Sequence, residues 1–190
     1  YSRVHENCEI FSRESFIFKK GDIPEVECIK DLQVFIWPGG IDGEWNWFSN
    51  IINVKELNYE TKTLNLSSNT PYDIGKGSRY FIQNSLELLT EPGEFYFDRV
   101  EGFLYYYPFE EDIEKAEVVI PLMEKILEFK GSSMEEKVQS IIVDNIRLCD
   151  SDTVEELTIV TSQNEAPQNG ALHLENAANI EIRNCRIYNT

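Results

Sequence analysis

An internal repeat constrains the fold of this chain more than any other feature of its sequence. The segment QSIIVDNIRLCDS, residues 139–151, aligns with ANIEIRNCRIYNT, residues 178–190, at a shift of 39 residues. The matched positions are Ile141 with Ile180, Val143 with Ile182, Asn145 with Asn184, Arg147 with Arg186 and Leu148 with Ile187. A repeat of this kind predicts two copies of one structural unit that stack on each other.

A second strand with alternating apolar residues precedes each copy. Residues 127–129 precede the first copy and residues 172–174 precede the second, at a shift of 45 residues. Because this shift exceeds that of the copies themselves, we predict an insertion in the first unit, at residues 132–137. Strands this short bury little surface alone, so we expect them to be layers of a larger structure.

A unit built of strand, turn, strand, asparagine bend and strand is typical of one coil of a parallel β-helix. Asparagine suits the bend because it tolerates the left-handed backbone conformation, and stacked asparagines bond along the helix axis. We therefore predict that Asn145 stacks on Asn184. Coils commonly contain roughly 20–25 residues, so the repeat represents either one coil with a long loop, residues 153–169, or two coils. A strand pair of a β-sandwich is the alternative interpretation.

The middle of the chain predicts a different kind of β structure. Short strands bounded by turn residues occur in VFIWPGG, NIINVKELN, TKTLNLSS, RYFIQN and GEFYFDRVEGFLYYYP. The last segment predicts a hairpin with strands at residues 94–98 and 103–107. This spacing favours a small antiparallel β-sandwich or barrel. The predicted organisation is all-β, with the start of a β-helix at residues 1–35, an inserted sandwich at 36–117 and parallel β-helix coils at 118–190.

The composition limits the classes of partner. The chain has 190 residues, 42% of them hydrophobic, which is enough to bury a core. Its net charge of −17 disfavours nucleic acid and anionic membranes, because binding to either depends on lysine and arginine. Neutral sugars, cations and basic proteins remain as partners. The sequence contains no apolar run of about 20 residues, the length that spans a bilayer. Its first residues, YSRVHENCEIF, contain neither an initiator methionine nor a signal peptide, so we expect a piece of a longer protein.

The cysteines and histidines offer few metal-binding or catalytic arrangements. The four cysteines are widely spaced and form no Cys-x-x-Cys pair, so we predict no metal site and no cofactor. With only two histidines, a Ser-His-Asp or Cys-His centre is not predicted. We expect the thiols to be buried in small core positions, with a Cys8–Cys28 disulfide as the alternative. The residues concerned are Cys8, Cys28, Cys149, Cys185, His5 and His173.

Several longer segments are similar to a known group of proteins. These segments are DLQVFIWPGG, EWNWFSNIINVK, GSRYFIQNSLELLTEPGEFYFDRVEGFLYYYP and NGALHLENAANIEIRNCRIYNT. They closely resemble large right-handed parallel β-helix proteins in which a β-sandwich interrupts the first coils. The resemblance covers residues 16–190, and residues 79–108 are its most specific part. The group includes glycoside hydrolases of the β-xylosidase and α-fucosidase type.

The resemblance implies right-handed coils, a polysaccharide or oligosaccharide partner, and a secreted or cell-surface location. A glycoside hydrolase needs two carboxyl groups about 5–10 Å apart, and in such proteins these groups usually lie on later coils. The resemblance therefore also implies that this stretch alone is inactive. A non-catalytic carbohydrate-binding or adhesive β-helix protein is the alternative, and a scaffold without a ligand is a third interpretation.

Acidic residues near the repeat are the candidates for catalysis. We assign Asp150 and Asp152 as candidate catalytic carboxylates, because stacked coils bring acidic residues such as Asp144, Glu175 and Glu181 into lateral register with them. The alternative is that Asp150 and Asp152 belong to a polar turn. Asp-x-Asp is also a weak calcium motif, since calcium takes six or more oxygen ligands.

Aromatic residues in a glycine-rich segment are the candidates for sugar binding. Exposed rings stack on the apolar faces of sugars, and the segment PGGIDGEWNWF, preceded by Trp37, contains two further tryptophans and Phe48. We assign substrate binding to Trp45 and Trp47. The alternative is that both rings pack against the sandwich. We add His173, which faces away from its leucine neighbours, and Glu175 as substrate-binding candidates on the last coil.

Overall fold

The computed structural model describes residues 2–4, 12–39, 44–45, 47–109, 113–152 and 170–190. It confirms the predicted all-β class, since two short 3-10 helices, Leu86–Leu88 and Ile113–Lys115, are the helical elements within these ranges. None of the helices described there is long and apolar enough to cross a bilayer. The strands are β1 (Ser2–Arg3), β2 (Ser15–Ile17), β3 (Gln33–Trp37), β4 (Asn50–Asn58), β5 (Thr63–Leu66), β6 (Arg79–Gln83), β7 (Phe95–Asp98), β8 (Phe103–Tyr106), β9 (Leu127–Lys130), β10 (Val138–Asp144), β11 (Arg147–Cys149), β12 (Leu172–Glu175), β13 (Ala177–Arg183) and β14 (Arg186–Tyr188).

The chain divides into two compact units. The strands β1 to β8 belong to the first unit, and β9 to β14 belong to the second, which begins at Glu117. The predicted domain limits at residues 35 and 117 stay predictions.

The first unit contains a six-stranded antiparallel sheet in the order β1-β6-β3-β4-β5-β2. Strict alternation along β3 places Val34 and Ile36 in the core and leaves Phe35 and Trp37 half-buried on the other face. Each fully buried aliphatic side chain of this kind stabilises the fold by roughly 1.5–3 kcal/mol relative to exposure. The antiparallel strands predicted for β3 to β6 are confirmed.

The sheet curls, so that strands far apart in its order meet across the core. Phe16 of β2 contacts Tyr80 of β6 with ring centroids 4.7 Å apart, and both side chains are fully buried. The hydroxyl of Tyr80 donates a hydrogen bond to Oδ2 of Asp22 at 3.2 Å. Burial, followed by the nearby Asp22 carboxylate, raises the pKa of Tyr80 far above its ordinary value.

Of the two architectures predicted for the middle of the chain, a small antiparallel sandwich or a barrel, the curled sheet resembles part of a barrel, and it differs from the predicted β-helix start. The described residues of the first unit form one curled sheet and a separate hairpin rather than two facing sheets. The strands within residues 1–35 also pair antiparallel in this sheet, β1 with β6 and β2 with β5. Their partners lie far along the sequence, and the alternation of apolar residues that marks a strand does not specify its partner.

The predicted hairpin is confirmed as β7 and β8, which pair antiparallel from Phe95 with Tyr106 to Asp98 with Phe103. At the turn, Oδ1 of Asp98 accepts hydrogen bonds from the backbone N–H groups of Val100 and Glu101. The rings of Tyr96 and Tyr105 stack 6.1 Å apart, as cross-strand pairing predicts.

The second unit consists of three parallel strand pairs, β9 with β12, β10 with β13 and β11 with β14. Leu127 pairs with Leu172, Ile141 with Ile180 and Leu148 with Ile187. This register is the one that the repeat predicted. The parallel pairing is therefore confirmed.

Left-handed backbone bends recur at the same positions in both copies of the repeat. Three residues of the first copy have positive φ, and the residues 39 positions later in the second copy have it too. The pairs are Ser140 (63°) with Asn179 (53°), Asn145 (58°) with Asn184 (53°) and Asp150 (60°) with Asn189 (53°).

 Asparagine and aspartate adopt this conformation more readily than other non-glycine residues, which explains their places in the repeat.

The predicted side-chain ladder between Asn145 and Asn184 is wrong, because Asn184 bonds to a different residue of the first copy. Nδ2 of Asn184 donates a hydrogen bond to Oδ1 of Asp144 at 2.9 Å, one residue before the expected position. Nδ2 of Asn189 likewise donates to Oδ1 of Asp150 at 3.2 Å. A carboxylate is the stronger acceptor, and at these two bends the amide of the second copy reaches a carboxylate of the first.

The insertion predicted at residues 132–137 lies between β9 and β10, beside Asn176. The N–H of Val138 donates to the carbonyl of Asn176 at 3.1 Å, and Nδ2 of Asn176 donates to the carbonyl of Gly131 at 3.2 Å. A Cβ atom on Gly131 would lie 2.5 Å from that same Asn176 carbonyl oxygen. Glycine at position 131 therefore lets the loop leave the strand close to the neighbouring copy.

The prediction of buried cysteines is wrong for the described thiols. Cys28 is exposed, and Cys149 and Cys185 are half-buried; all three are free. Cys149 follows the buried Leu148, so alternation along β11 places its side chain on the outer face. Cys8, the partner in the alternative disulfide, and His5 lie outside the described residues.

Candidate functional site

Two of the predicted substrate-binding residues, Trp45 and Trp47, form an exposed aromatic platform in the first unit. Their rings stack 5.9 Å apart with an angle of 26° between their planes. The ring of Tyr72 meets both edge-on, at 5.9 Å from Trp45 and 5.2 Å from Trp47. About half of each tryptophan is exposed, 47% for Trp45 and 50% for Trp47. We call these three residues the aromatic platform.

Buried neighbours hold the platform in place. Phe48 is only 7% exposed and contacts Tyr72 edge-on at 5.2 Å. The Thr70 hydroxyl donates a hydrogen bond to the carbonyl of Tyr72 at 2.6 Å, and Thr70 itself is buried. Next to Tyr72, Oδ1 of Asp73 accepts a hydrogen bond from Nε of Arg13 at 2.9 Å. The rings are thus preorganised, which reduces the entropy lost when a ligand binds.

This arrangement combines the two sequence interpretations of Trp45 and Trp47. Their rings pack on each other and on Tyr72, and they also present apolar area to solvent. A flat, apolar surface bordered by the polar edges of the indole and phenol groups suits a ligand with an apolar face and hydroxyl groups at its rim.

Trp37 has a different environment from the other two tryptophans. Its ring lies 4.5 Å from Phe35, and the guanidinium of Arg79 lies 4.6 Å above it. Phe81 completes this group on the outer face of the sheet. Trp37 is half-buried, so its role here is packing. Tyr72 was not predicted, because it follows Pro71 in a turn-like segment without any aromatic pattern.

The other two substrate-binding candidates, His173 and Glu175, lie together in the second unit. Nε2 of His173 lies 3.6 Å from Oε2 of Glu175 and 4.0 Å from Oε1 of Glu128. Lys125 contacts Glu128 at 2.6 Å, and Lys130 contacts Glu175 at 2.8 Å. His173 and Glu128 are direct partners in the parallel register of β12 and β9. We call these five residues the charged cluster.

The two lysines of the charged cluster lower the pKa values of its carboxyl groups. A hydrogen bond from Lys125 lowers the pKa of Glu128, and a hydrogen bond from Lys130 lowers the pKa of Glu175. The same contact with Glu175 raises the pKa of Lys130. Both carboxyl groups are therefore ionised at neutral pH. A glycosidase proton donor requires the opposite shift, so the cluster suits charge pairing between strands better than acid catalysis.

The candidate catalytic residues Asp150 and Asp152 lie after β11. Asp150 adopts the left-handed conformation and accepts the hydrogen bond from Asn189. The N–H of Asp152 donates to the carbonyl of Met123 at 2.9 Å. Both residues thus take part in the chain bend, as the polar-turn alternative predicts, and their catalytic role stays a prediction.

Comparison with known proteins supports a relationship of fold. No protein-family model matches the chain, and no curated protein sequence matches it. A solved structure described as "Glycoside hydrolase" is similar to 79% of this chain with a TM-score of 0.58 and 17% sequence identity. The chain spans 29% of the length of that protein. At this level of identity the similarity concerns the fold alone.

Proposed function

We propose that this chain is a glycan-binding part of a β-helix protein related to glycoside hydrolases, with a polysaccharide or oligosaccharide as its ligand. The aromatic platform is the observation that carries the proposal. Two stacked and half-exposed tryptophans, supported from below by buried neighbours, offer a fixed surface for the apolar face of a sugar.

Two further findings support this proposal. The structural similarity to a glycoside hydrolase is consistent with the family resemblance of the sequence. The parallel strand pairs with recurring left-handed bends support the interpretation of residues 118–190 as right-handed β-helix coils. A secreted or cell-surface location follows from the same resemblance and forms part of the proposal.

Binding, rather than cleavage, is the activity that we assign to this chain. The described carboxyl groups whose pKa departs from the ordinary value all have it lowered, namely Glu87, Glu94, Glu128 and Glu175. A proton donor for glycoside cleavage needs a raised pKa. The alternative is that a larger protein containing this chain hydrolyses glycans, with Asp150 and Asp152 as catalytic residues.

Isothermal titration with neutral oligosaccharides tests the proposal. Xylan oligosaccharides, fucosylated oligosaccharides and methyl-esterified galacturonate oligomers would be titrated into the chain and into Trp45→Ala and Trp47→Ala variants. We expect one of these sugars to bind and each variant to lose about five- to thirtyfold in affinity, because a stacked aromatic contact contributes on the order of 1–2 kcal/mol. Phe103→Ala is the matched control, since it removes an exposed ring from the hairpin. No binding by any sugar, or equal affinity in the platform variants, would contradict the proposal.

A further inference from the structure

Two arginines lie side by side on the outer face of the second unit. Arg147 of β11 and Arg186 of β14 are direct partners in the parallel register, and both are exposed. Neighbouring strands are about 4.8 Å apart, so the two side chains start from adjacent backbone positions. Leu148 and Ile187, the next residues of the two strands, point to the opposite face.

This pair is unusual in a chain of net charge −17. Acidic residues outnumber lysine and arginine by 34 to 17, yet neither guanidinium has an ion-pair partner among the described residues. Arg183, by contrast, contacts Asp144 at 2.9 Å and Glu181 at 3.1 Å. Like charges directly opposite each other on adjacent strands destabilise a sheet. An anionic ligand between the two guanidinium groups would remove this repulsion.

An aromatic ring lies beside the pair on the same face. Tyr188 follows Arg186 by two positions on β14, so both side chains point outward, and Tyr188 is 45% exposed. A hydrogen bond with Cys149, the partner of Tyr188 in β11, raises the pKa of the tyrosine, and Arg147 acts on it in the opposite direction. The four side chains Arg147, Cys149, Arg186 and Tyr188 therefore share one surface. Asp150 also lies near Tyr188, and its Oδ1 accepts the hydrogen bond from Asn189.

We propose that Arg147, Arg186 and Tyr188 form a binding subsite for a uronic acid residue of an acidic glycan. The planar guanidinium groups match the geometry of a carboxylate, which accepts two parallel hydrogen bonds from each fork. Residues two positions apart on a strand are about 6.6 Å apart, which lets a pyranose ring lie over Tyr188 while its carboxylate reaches Arg186. The inference goes beyond the aromatic platform, because the subsite lies in the second unit and has its own contacts.

The overall negative charge of the chain does not prevent this binding. At physiological ionic strength, charges on an exposed surface are screened beyond about 8 Å. The local field at the subsite is therefore set mainly by the two arginines and the nearby Asp150, which together carry a net positive charge. The composition alone suggested neutral sugars, cations or basic partners, and it does not show the local pairing of two arginines.

Titration with a galacturonate tetramer and with its methyl ester tests the subsite, because the ester keeps the sugar rings and removes the charge. We expect the wild-type chain to bind the acid at least about tenfold more tightly than the ester, since charge-assisted hydrogen bonds are the difference. The Arg147→Gln/Arg186→Gln variant should lose this preference. Lys20→Gln/Lys55→Gln, which removes the same charge from exposed positions of the first unit, should keep it.

Parallel measurements separate the outcomes. The denaturation midpoint of the arginine variant should equal or exceed that of the wild type, because the repulsion between the two guanidinium groups is gone. Retention of the acid preference in that variant, or no preference in the wild type, would overturn the proposal. Tighter binding of a sulfated galactose oligosaccharide than of the acid would also overturn the carboxylate assignment. The Trp45→Ala/Trp47→Ala variant should keep the acid preference, so failure of the platform and failure of this subsite give different results.

Discussion

At the scale of single residues, close backbone approach and left-handed bends fix the second unit. Gly131 is one such position, because a Cβ atom there would lie 2.5 Å from the carbonyl oxygen of Asn176, 2.6 Å from that of Glu136 and 2.8 Å from the backbone nitrogen of Val138. All three contacts involve backbone atoms, which cannot move independently of the strands.

Gly131→Ala should therefore destabilise the protein by about 1–3 kcal/mol, the cost of forcing extra volume into a closely packed site. Urea denaturation followed by circular dichroism measures the change. Gly170→Ala is the matched control, because its nearest contact, the carbonyl oxygen of Leu172, lies at an ordinary 3.7 Å. Equal midpoints for the two variants would show that the loop adjusts without cost.

The asparagine bends give a second prediction at this scale. Asn184→Gly keeps the left-handed conformation but loses the hydrogen bond to Asp144, so we expect a loss of about 1 kcal/mol or more. Asn145→Gly should change stability little, since its side chain makes no such contact with the second copy. The same urea titrations measure both, and a larger effect at Asn145 would restore the predicted ladder.

At the scale of elements, the charged cluster connects β9 to β12. The contacts with Lys125 and Lys130 lower the pKa values of Glu128 and Glu175 below the ordinary 4.5 of the unfolded chain. Carboxylates with a lowered folded-state pKa contribute stability that is fully present above the unfolded value and is lost as the pH falls through the folded one. The cluster is exposed, so solvent screening keeps its contribution small.

We accordingly expect the urea concentration at the denaturation midpoint to decrease as the pH is lowered from about 5 to about 3. Part of this slope should disappear in the Glu128→Gln/Glu175→Gln variant. Glu56→Gln/Glu60→Gln, at exposed positions of the first unit, controls for the removal of two carboxylates. An unchanged slope in the cluster variant would show that its ion pairs do not contribute to folding.

The sequence predicts those elements whose signals are local or repeated. The strand pairs of the second unit follow from the match of Ile141 with Ile180 and of Leu148 with Ile187, and the hairpin follows from alternation on both sides of a turn. The pairing of β1 with β6 could not be predicted, because nothing in the two segments marks them as partners. In the sites, Trp45 and Trp47 could be predicted from their place in a glycine-rich aromatic segment. The roles of Tyr72 and of the lysines in the charged cluster could not be predicted, because only folding brings these residues next to their partners.

At the scale of the whole molecule, we expect glycan binding without cleavage. The chain should release no aryl group from aryl β-xylosides or aryl α-fucosides at a useful rate, because cleavage needs a proton donor with a raised pKa, and the lysine contacts lower the pKa values of Glu128 and Glu175. A colorimetric assay measures the release. Turnover that disappears in Asp150→Asn or Asp152→Asn would instead place the catalytic acid in this chain.

Glycan binding by the aromatic platform should be visible in the indole N–H signals of the tryptophans in nitrogen-15 NMR spectra. The chain contains three tryptophans, and Trp37 serves as an internal reference because it is packed among Phe35, Phe81 and Arg79. During titration with the neutral oligosaccharides, we expect the signals of Trp45 and Trp47 to shift in a saturable way while that of Trp37 stays in place. Signals of Trp45 and Trp47 that remain unchanged with every sugar, or a shift confined to Trp37, would contradict glycan binding by the platform.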